Sequence, residues 1–168
     1  PVITGATRGK GGVCMSTGGE MRRVDMRKLQ GTHLLEGRTP RTVNMIQLGN
    51  ALNDRALDPP IKALFCWSAD PANCVPDTIA TRKGLSRDDL FTVVHDTFWC
   101  DTASYADIVL PADTALEHVD LLPAYGNYYY TLSEQAIEKQ GESLDNQEMF
   151  RRLAKAMGYD DPCFSQSD

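Results

Sequence analysis

The sequence lacks the long apolar run that a membrane-spanning helix requires. No stretch of its 168 residues approaches the roughly 20 apolar residues that cross a bilayer. It also lacks an excess of basic residues, since 17 Lys and Arg stand against 23 Asp and Glu, a net charge of −6. An acidic balance argues against a broad surface for nucleic acid or for an anionic membrane. We therefore expect no membrane span and no nucleic-acid partner.

Metal-binding and nucleophile motifs are absent as well. The five cysteines form no C-x-x-C pair, and the three histidines do not have the spacing of helical zinc ligands. Neither a P-loop nor a G-x-S-x-G elbow is present. The sequence therefore predicts no metal ligand and no catalytic residue of its own. We expect the cysteines to be reduced, with Cys66 as part of a buried strand, and a reducing compartment favours a cytoplasmic location.

Three short apolar runs lie between residues 61 and 111. They predict strands at residues 61–67, 90–94 and 107–110, with a helix-length segment between the first two. Short runs of this kind are typical of parallel strands that are buried on both faces. The sequence therefore predicts an α/β fold, a three-layer and mostly parallel Rossmann-like sheet flanked by helices.

Apolar periodicity and breakers predict the helices, which we expect at about residues 41–58, 77–83 and 147–157. Pro40 is expected near the start of the first helix, and Gly84 is expected to stop the second. Asp145 or Asn146 is expected to cap the third, which Gly158 should end.

The expected organisation has three parts. Residues 1–40 form an irregular segment, rich in glycine and basic residues, that packs on a missing neighbour. Residues 41–158 form the α/β domain, and residues 159–168 form a frayed tail. Because the first residues are typical of the middle of a protein, we expect an excised domain.

Polar side chains follow the first two predicted strands. Asp70 and Asn73 lie in the turn after the first strand, and His95 and Asp96 end the second. In a parallel sheet, ligands bind beyond the carboxyl ends of the strands, where a carboxylate can accept hydrogen bonds from a sugar hydroxyl or a guanine N–H edge. The alternatives are a turn for Asp70, a cap for Asp96 and a buried core position for His95. Glu117 with His118 is a possible acid/base pair without a nucleophile.

Several motifs occur in a fixed order over about a hundred residues: LFCWSADPAN at 64–73, FTVVHDTF at 91–98, DTA at 101–103, ADIVLP at 106–111, and Glu117-His118. In these motifs the chain resembles the molybdopterin oxidoreductases. More narrowly, it resembles the large catalytic subunits of the dimethyl-sulfoxide-reductase family, which includes formate dehydrogenases and nitrate reductases. Asp70 departs from most of these relatives, which have Asn at this position.

The resemblance implies a fragment of a molybdenum-dependent oxidoreductase that binds the guanine dinucleotide part of a bis-molybdopterin cofactor carrying Mo or W. The parent protein would be the enzyme, whereas this segment lacks the metal ligand and would not be catalytic alone. A [4Fe-4S] cluster would lie in another part of the parent. Expected partners are the remaining domains of the same chain and an iron–sulfur electron-transfer subunit.

By strand-end placement and resemblance, the candidate cofactor-binding residues are Asp70, Asn73, His95, Asp96, Thr102, His118 and Asn146. Asp70 takes the place of a nucleotide contact, while His95 and Asp96 match a pair at the guanosine end. Thr102 matches a position that supports the loop. His118 stands where some members have Lys, and Asn146 where some have Asp.

Two alternatives remain at this point. The first is a free-standing nucleotide-binding module without a redox role. The second is a structural domain whose cofactor site has decayed, as in related subunits of respiratory complex I. Binding of a guanine nucleotide that is lost on Asp96→Ala would favour the first alternative over the second.

Overall fold

The computed structural model of the chain describes residues 32–35, 37–123 and 130–164. The chain divides into two compact units, Pro1–Pro40 with Asp120–Ser133 and Arg41–Val119 with Glu134–Asp168. Most of the predicted irregular segment at residues 1–40 lies outside the described residues. The division into an irregular segment, an α/β domain and a tail stays a prediction.

The second unit contains a parallel sheet. Its strands are β1 (Ala63–Trp67), β2 (Phe91–Asp96) and β3 (Ile108–Pro111), in the order β1-β2-β3. The register aligns both Trp67 and Leu110 with His95 on the central strand. These strands lie within one or two residues of the predicted ones, and the α/β class with a parallel sheet is confirmed.

Helices cover both faces of this sheet. Within the described part of the unit they are α1 (Leu48–Asn53), α2 (Pro71–Cys74), α3 (Thr78–Leu85) and α4 (Asn146–Ala156), with 3-10 helices at Met45–Gln47, Asp101–Tyr105 and Pro162–Phe164. On one face, Cys66 and Val94 pack with Ala103 of a 3-10 helix. On the other face, Phe150 of α4 lies 5.7 Å from Phe65, measured between ring centroids. The sheet is therefore the middle of three layers.

The first helix is shorter than predicted. Asn44 is the N-cap of the 3-10 turn that precedes α1, and its side chain accepts a hydrogen bond from the Ile46 N–H. The helix does not begin at Pro40, because this cap satisfies the first free amide four residues later. It ends at Asn53, because the backbone of Asp54 is extended and its carboxylate accepts from the Ala56 N–H.

Glycine allows α1 and α3 to approach closely. A Cβ on Gly84 would lie 2.5 Å from the Leu52 Cβ, and one on Gly49 would lie 2.8 Å from the Thr81 N. The Asn53 side chain crosses the same contact and donates to the Gly49 and Ala80 carbonyls, so it links α1 to α3. Gly84 is therefore a packing residue inside α3, and its expected role as a helix stop is wrong.

The last helix follows the prediction closely. Asp145 is its N-cap, and the carboxylate accepts from the Glu148 N–H at 2.7 Å. Met149 and Ala154 are buried, while Phe150 makes an edge-to-face contact with Trp67 at 5.3 Å. Gly158 follows the end of the helix with a φ of +78°, the left-handed backbone that favours glycine at a helix terminus.

The described part of the first unit contains a 3-10 helix, Thr32–Leu35, and a two-stranded antiparallel sheet. Its strands are β4 (Asp120–Pro123) and β5 (Tyr130–Ser133). The tyrosines and Thr131 predict a strand at residues 128–132; residues 130–132 lie in β5, and residues 128 and 129 lie outside the described residues. Nothing in the sequence pattern singles out β4. No helix in the described ranges is both long and apolar enough to cross a bilayer.

We expect Gly84→Ala to lower the free energy of unfolding of the purified protein. Ala gains about 1 kcal/mol in helix propensity over Gly. The new methyl group meets the Leu52 Cβ, however, and overpacking of this kind costs about 1–3 kcal/mol. Denaturant unfolding measures the difference. Lys83→Ala, at the exposed preceding position, is the control and should change stability by less than about 0.5 kcal/mol. An unchanged or raised midpoint of denaturant unfolding for Gly84→Ala would contradict the close contact between Gly84 and Leu52.

Candidate functional site

The segments that leave the three parallel strands begin at one edge of the sheet. After β1, the Ser68 N–H donates to the His95 carbonyl at 3.1 Å. After β3, the Ala112 N–H donates to the Asp96 carbonyl at 3.0 Å. These bonds continue the sheet pairing by one residue, so the side chains that follow each strand lie at a common carboxyl edge.

Asp70 is held at this edge by Thr102. One oxygen of its carboxylate, Oδ1, accepts from the Thr102 N–H at 2.9 Å and from the Thr102 hydroxyl at 2.6 Å. The same hydroxyl accepts from the Ala72 N–H at 3.0 Å. Asp70 therefore bonds a segment about 30 residues away, whereas the turn interpretation placed its partner in the following loop. Its other oxygen, Oδ2, has no hydrogen bond within the described residues.

Asp96 is half-buried at the end of β2. Its Oδ1 accepts from the Phe98 N–H at 3.3 Å, and its Oδ2 has no partner in the part of the chain that the structure describes. Phe98 and Trp99 beside it are 78% and 73% exposed. Asp96 therefore presents one carboxylate oxygen next to exposed aromatic rings.

His95 is fully buried, with 0% of its surface exposed. Its Nδ1 lies 3.2 Å from Oδ1 of Asn146, the first residue of α4. Because an amide oxygen can only accept, this contact assigns the proton to Nδ1. Nε2 is buried and without a hydrogen-bond partner among the described residues. This burial counts against direct contact with a ligand and makes His95 a support for the exposed Asn146.

Asn73 and Thr102 differ in their exposure to solvent. Asn73 is exposed on α2, and its side chain has no hydrogen bond in the described ranges. Thr102 is 0% exposed and makes the bonds to Asp70 and Ala72. Of the two candidates, Asn73 is accessible to a ligand, while Thr102 supports the loop as the resemblance implies.

A cluster of charged side chains joins the loop after β3 to the start of α4. Oδ1 of Asp113 lies 3.0 Å from Nδ1 of His118, and its Oδ2 lies 3.3 Å from Nζ of Lys139. Lys139 also contacts Asp145 at 2.7 Å. The Asp113 side chain is 2% exposed, whereas those of His118 and Lys139 are 27% and 36% exposed. A buried carboxylate thus holds two partly exposed nitrogen groups.

The pKa values of this cluster follow from its contacts. The Asp145 hydrogen bond, helped by Asp113, raises the pKa of Lys139 against the opposing effect of burial. Burial alone raises the pKa of Asp145, but the Glu148 N–H and Lys139 together outweigh burial and lower it. Both groups are therefore charged at neutral pH.

Glu117 organises the neighbouring loops. It is 3% exposed, and its carboxylate accepts from the Thr114 N–H at 2.7 Å and the Gln140 N–H at 2.6 Å. These hydrogen bonds, led by Thr114, lower its pKa. Because Glu117 is engaged by backbone donors and has no hydrogen bond to His118 within the described residues, the arrangement gives no support for an acid/base pair at residues 117 and 118.

Asp113 and Lys139 are the residues that sequence reasoning missed. The rule that selected Asp70 and Asp96, a polar residue just after a parallel strand, also selects Asp113 after β3. Pro111 obscured this signal, since the strand was expected to stop before it and it is in fact the last residue of β3. No signal in the sequence places Lys139 at this edge, because its contact depends on the folding of a long loop.

The thiol of Cys66, which lies close to Asp70, is not activated as a nucleophile. Burial raises the pKa of the Cys66 thiol to about 11, and the nearby Cys100 and Asp70 act in the same direction, so a nucleophilic thiolate is disfavoured. In the described ranges no group of three or more His, Cys, Asp or Glu side chains is placed to hold a metal ion.

A cleft lies at the other end of the sheet. It has a volume of about 640 Å³ and is lined by Lys62, Arg87 and Asp89 among others. Asp89 pairs with both Lys62 and Arg87 at 2.5 and 2.8 Å. Arg87 also donates to the Leu52 and Ile61 carbonyls. Lys62, Arg87 and Asp89 are therefore occupied by one another. Arg55, Lys83 and Asp88 also line the cleft and have no partner within the described residues.

A parallel α/β sheet with acidic and polar side chains at its carboxyl edge is typical of a nucleotide- or cofactor-binding domain. A family model described as Molybdopterin oxidoreductase matches residues 15–156. The chain belongs to the molybdopterin oxidoreductase family, and the resemblance in the strand-end motifs is confirmed.

Individual relatives agree with this membership. The chain is 45% identical over 168 residues to the probable oxidoreductase YoaE of Bacillus subtilis (strain 168). The match covers 100% of this chain and 24% of YoaE. The chain is 30% identical over 140 residues to the assimilatory nitrate reductase catalytic subunit of the same organism, covering 83% of this chain and 19% of the relative.

A solved structure shares the fold. Acetylene hydratase from Pelobacter acetylenicus matches with a TM-score of 0.59 and 32% identity, over 70% of this chain and 16% of that one. The chain therefore spans about a quarter or less of the length of these relatives.

The contrast between two buried threonines tests the Asp70–Thr102 contact. Thr102→Val removes a hydroxyl with two hydrogen bonds and should lower the free energy of unfolding by about 1–3 kcal/mol. Thr92→Val is the control, because Thr92 is also 0% exposed but its hydroxyl has no partner among the described residues, and it should cause no loss. Denaturant unfolding of both variants measures this. Equal losses would contradict the assigned role of Thr102.

Glu117→Gln should destabilise the protein in a pH-dependent way. The pKa of Glu117 is lowered on folding from its ordinary value of 4.5, so its stabilising effect is present above that value and is lost as the pH falls through the lower folded value. The variant should therefore unfold at a lower temperature at pH 7, and the difference should shrink below pH 4.5. The exposed Glu142→Gln is the control, with little difference at either pH. A pH-independent difference would contradict the hydrogen-bonded carboxylate.

Proposed function

We propose that this chain is a segment of a molybdenum- or tungsten-dependent oxidoreductase and that it binds the guanosine end of a molybdopterin guanine dinucleotide. The observation that carries the proposal is the pair of half-buried carboxylates, Asp70 and Asp96, at the carboxyl edge of the sheet. Each is fixed by one oxygen and has a second oxygen without a partner in the described residues.

The two carboxylates lie over the same face of the sheet. Asp70 bonds Thr102, and the neighbouring Ala103 packs against Val94. Val94 and Asp96 are two residues apart on β2, so their side chains are on one face. This shared face supports the proposal that both oxygens accept hydrogen bonds from one ligand.

The chemistry of this edge suits a nucleoside. Guanine offers N–H donors on its Watson–Crick edge and ribose offers hydroxyls, and both can donate to a carboxylate. The balance of charge at this edge is negative within the described residues. One ammonium group, that of Lys139, is outnumbered by the carboxylates of Asp70, Asp96, Asp113 and Asp145. Because this balance disfavours an anion, we assign the nucleoside end of the cofactor to this edge. Cations for the pyrophosphate would come from other parts of the parent protein.

The candidate residues take different roles in this proposal. Asp70, Asp96, Asn73 and Asn146 are exposed or half-buried and would contact the cofactor. His95 is buried and would orient Asn146 through its Nδ1. The exposed rings beside Asp96 would provide apolar contact with the base.

The names of the relatives support a role in cofactor binding over a role in substrate binding. The matched segment is shared by proteins named for nitrate reduction, formate dehydrogenation and acetylene hydration. Since these names describe different substrates, the shared segment is better suited to a shared cofactor. When bound, the molybdenum pterin supplies the chemistry at the metal, while residues of this chain bind and orient its nucleotide. The proposal extends to the bis form of the cofactor, a [4Fe-4S] cluster elsewhere in the parent and an iron–sulfur partner subunit.

The test uses the full-length parent protein. We expect it to contain molybdenum or tungsten, and acid hydrolysis should release GMP. Asp96→Asn keeps the oxygen that accepts from the Phe98 N–H but removes the charge. Since a hydrogen bond to a charged group is worth more than a neutral one, the variant should retain roughly tenfold less GMP.

Asp89→Asn is the matched control, because it removes a carboxylate with two cationic partners at the opposite end of the sheet. It should retain GMP at the level of the unsubstituted protein. A parent protein with metal and pterin but no GMP would exclude the guanine dinucleotide. Full retention by Asp96→Asn would exclude the assigned contact, and a parent without pterin would favour the structural alternative.

A further inference from the structure

We infer that Asp113 is a positioning residue for the nucleotide-binding edge, an inference that rests on the proposed function. Its side chain is 2% exposed, so it acts through the groups that it holds. None of the sequence motifs singles it out, but the structure places it where the segments that follow β2 and β3 meet the start of α4.

The main chain of Asp113 joins two of these segments. Its N–H donates to the Leu144 carbonyl at 3.1 Å, and its carbonyl accepts from the Thr97 hydroxyl at 3.1 Å. Thr97 directly follows Asp96. The position of Asp113 is therefore tied on one side to the proposed nucleoside contact and on the other to the segment that leads into α4.

The carboxylate of Asp113 fixes the two nitrogen groups of the cluster. The Nδ1 of His118 is engaged at 3.0 Å, which leaves Nε2, on the other side of the imidazole, available to a ligand. Lys139 lies between Asp113 and Asp145, at 3.3 and 2.7 Å. Asp145 in turn caps the helix that begins with Asn146.

The burial of this charge indicates a role beyond stability. A buried ion pair gains little over apolar packing, because desolvation offsets most of the attraction between the charges. Here the carboxylate aims the His118 ring, while its contact with Lys139 at 3.3 Å is an ion pair without a hydrogen bond. A neutral side chain of the same shape would fill the space but would hold these groups less firmly.

The test measures GMP and molybdenum per polypeptide in the full-length parent protein, together with the thermal midpoint of its cofactor-free form. Asp113→Asn keeps the shape and should retain roughly tenfold less GMP, since its hydrogen bond with His118 is no longer charge-assisted. Asp89→Asn, the same change at the opposite edge, should retain GMP fully. A merely structural role would lower GMP only in proportion to the loss of folded protein.

A double variant separates positioning from independent binding. If Asp113 acts through His118, the double variant Asp113→Asn with His118→Gln should retain as much GMP as the single variant that retains less. If the double variant loses GMP by the product of the two single-variant factors, the inference is overturned. Should Asp113→Asn fail to fold, His118→Gln decides alone, because it leaves Asp113 beside Lys139; a roughly tenfold loss supports the inference and full retention overturns it.

The two proposals fail differently. A parent protein that carries no GMP overturns the proposed function and this inference with it. A parent protein that carries GMP, with an Asp113→Asn variant that retains it fully, overturns the role of Asp113 and leaves the proposed function intact.

Discussion

The parallel pairing of β2 between β1 and β3 is the constraint on which the site depends. It aligns Trp67 and Leu110 with His95, and single backbone bonds from Ser68 and Ala112 extend the pairing past the strand ends. Because all three strands run in one direction, the chain leaves each of them at the same edge. Residues that are far apart in the sequence therefore meet there, and Ser68 leaves β1 in the left-handed backbone region, with a φ of +49°.

The acidic side chains at this edge are held in different ways. Asp70 is fixed by a buried threonine, Asp96 by the amide two residues later, and Asp113 by a histidine and a lysine. The first two are half-buried and keep an oxygen for a ligand, whereas Asp113 is nearly inaccessible. This difference in burial separates the proposed ligand contacts from the group that positions its neighbours, although all three follow parallel strands.

Local signals predicted the elements that local forces determine. The strands follow from short apolar runs, and α4 follows from its cap at Asp145 and its stop at Gly158. Gly84 was assigned wrongly because a glycine near a helix end usually terminates it, whereas here the contact with Leu52 requires a missing Cβ. The burial of His95 depends on the packing of α4 over the sheet, and the strand β4 depends on pairing with β5. The residues next to His95 and β4 in the sequence therefore predict neither feature.

The two ends of the sheet show why chemical availability locates the site better than the size of a cleft. At the amino end, Asp89 neutralises Lys62 and Arg87, and the guanidinium also satisfies two backbone carbonyls. These three side chains therefore offer little to a ligand in the cleft at that end, whereas Arg55, Lys83 and Asp88, which also line it, have no partner within the described residues. At the carboxyl end the carboxylates of Asp70 and Asp96 are each fixed by one oxygen, and the other oxygen has no partner within the described residues. A group that is both fixed and unsaturated needs little rearrangement to bind, and two such carboxylates lie at the carboxyl edge.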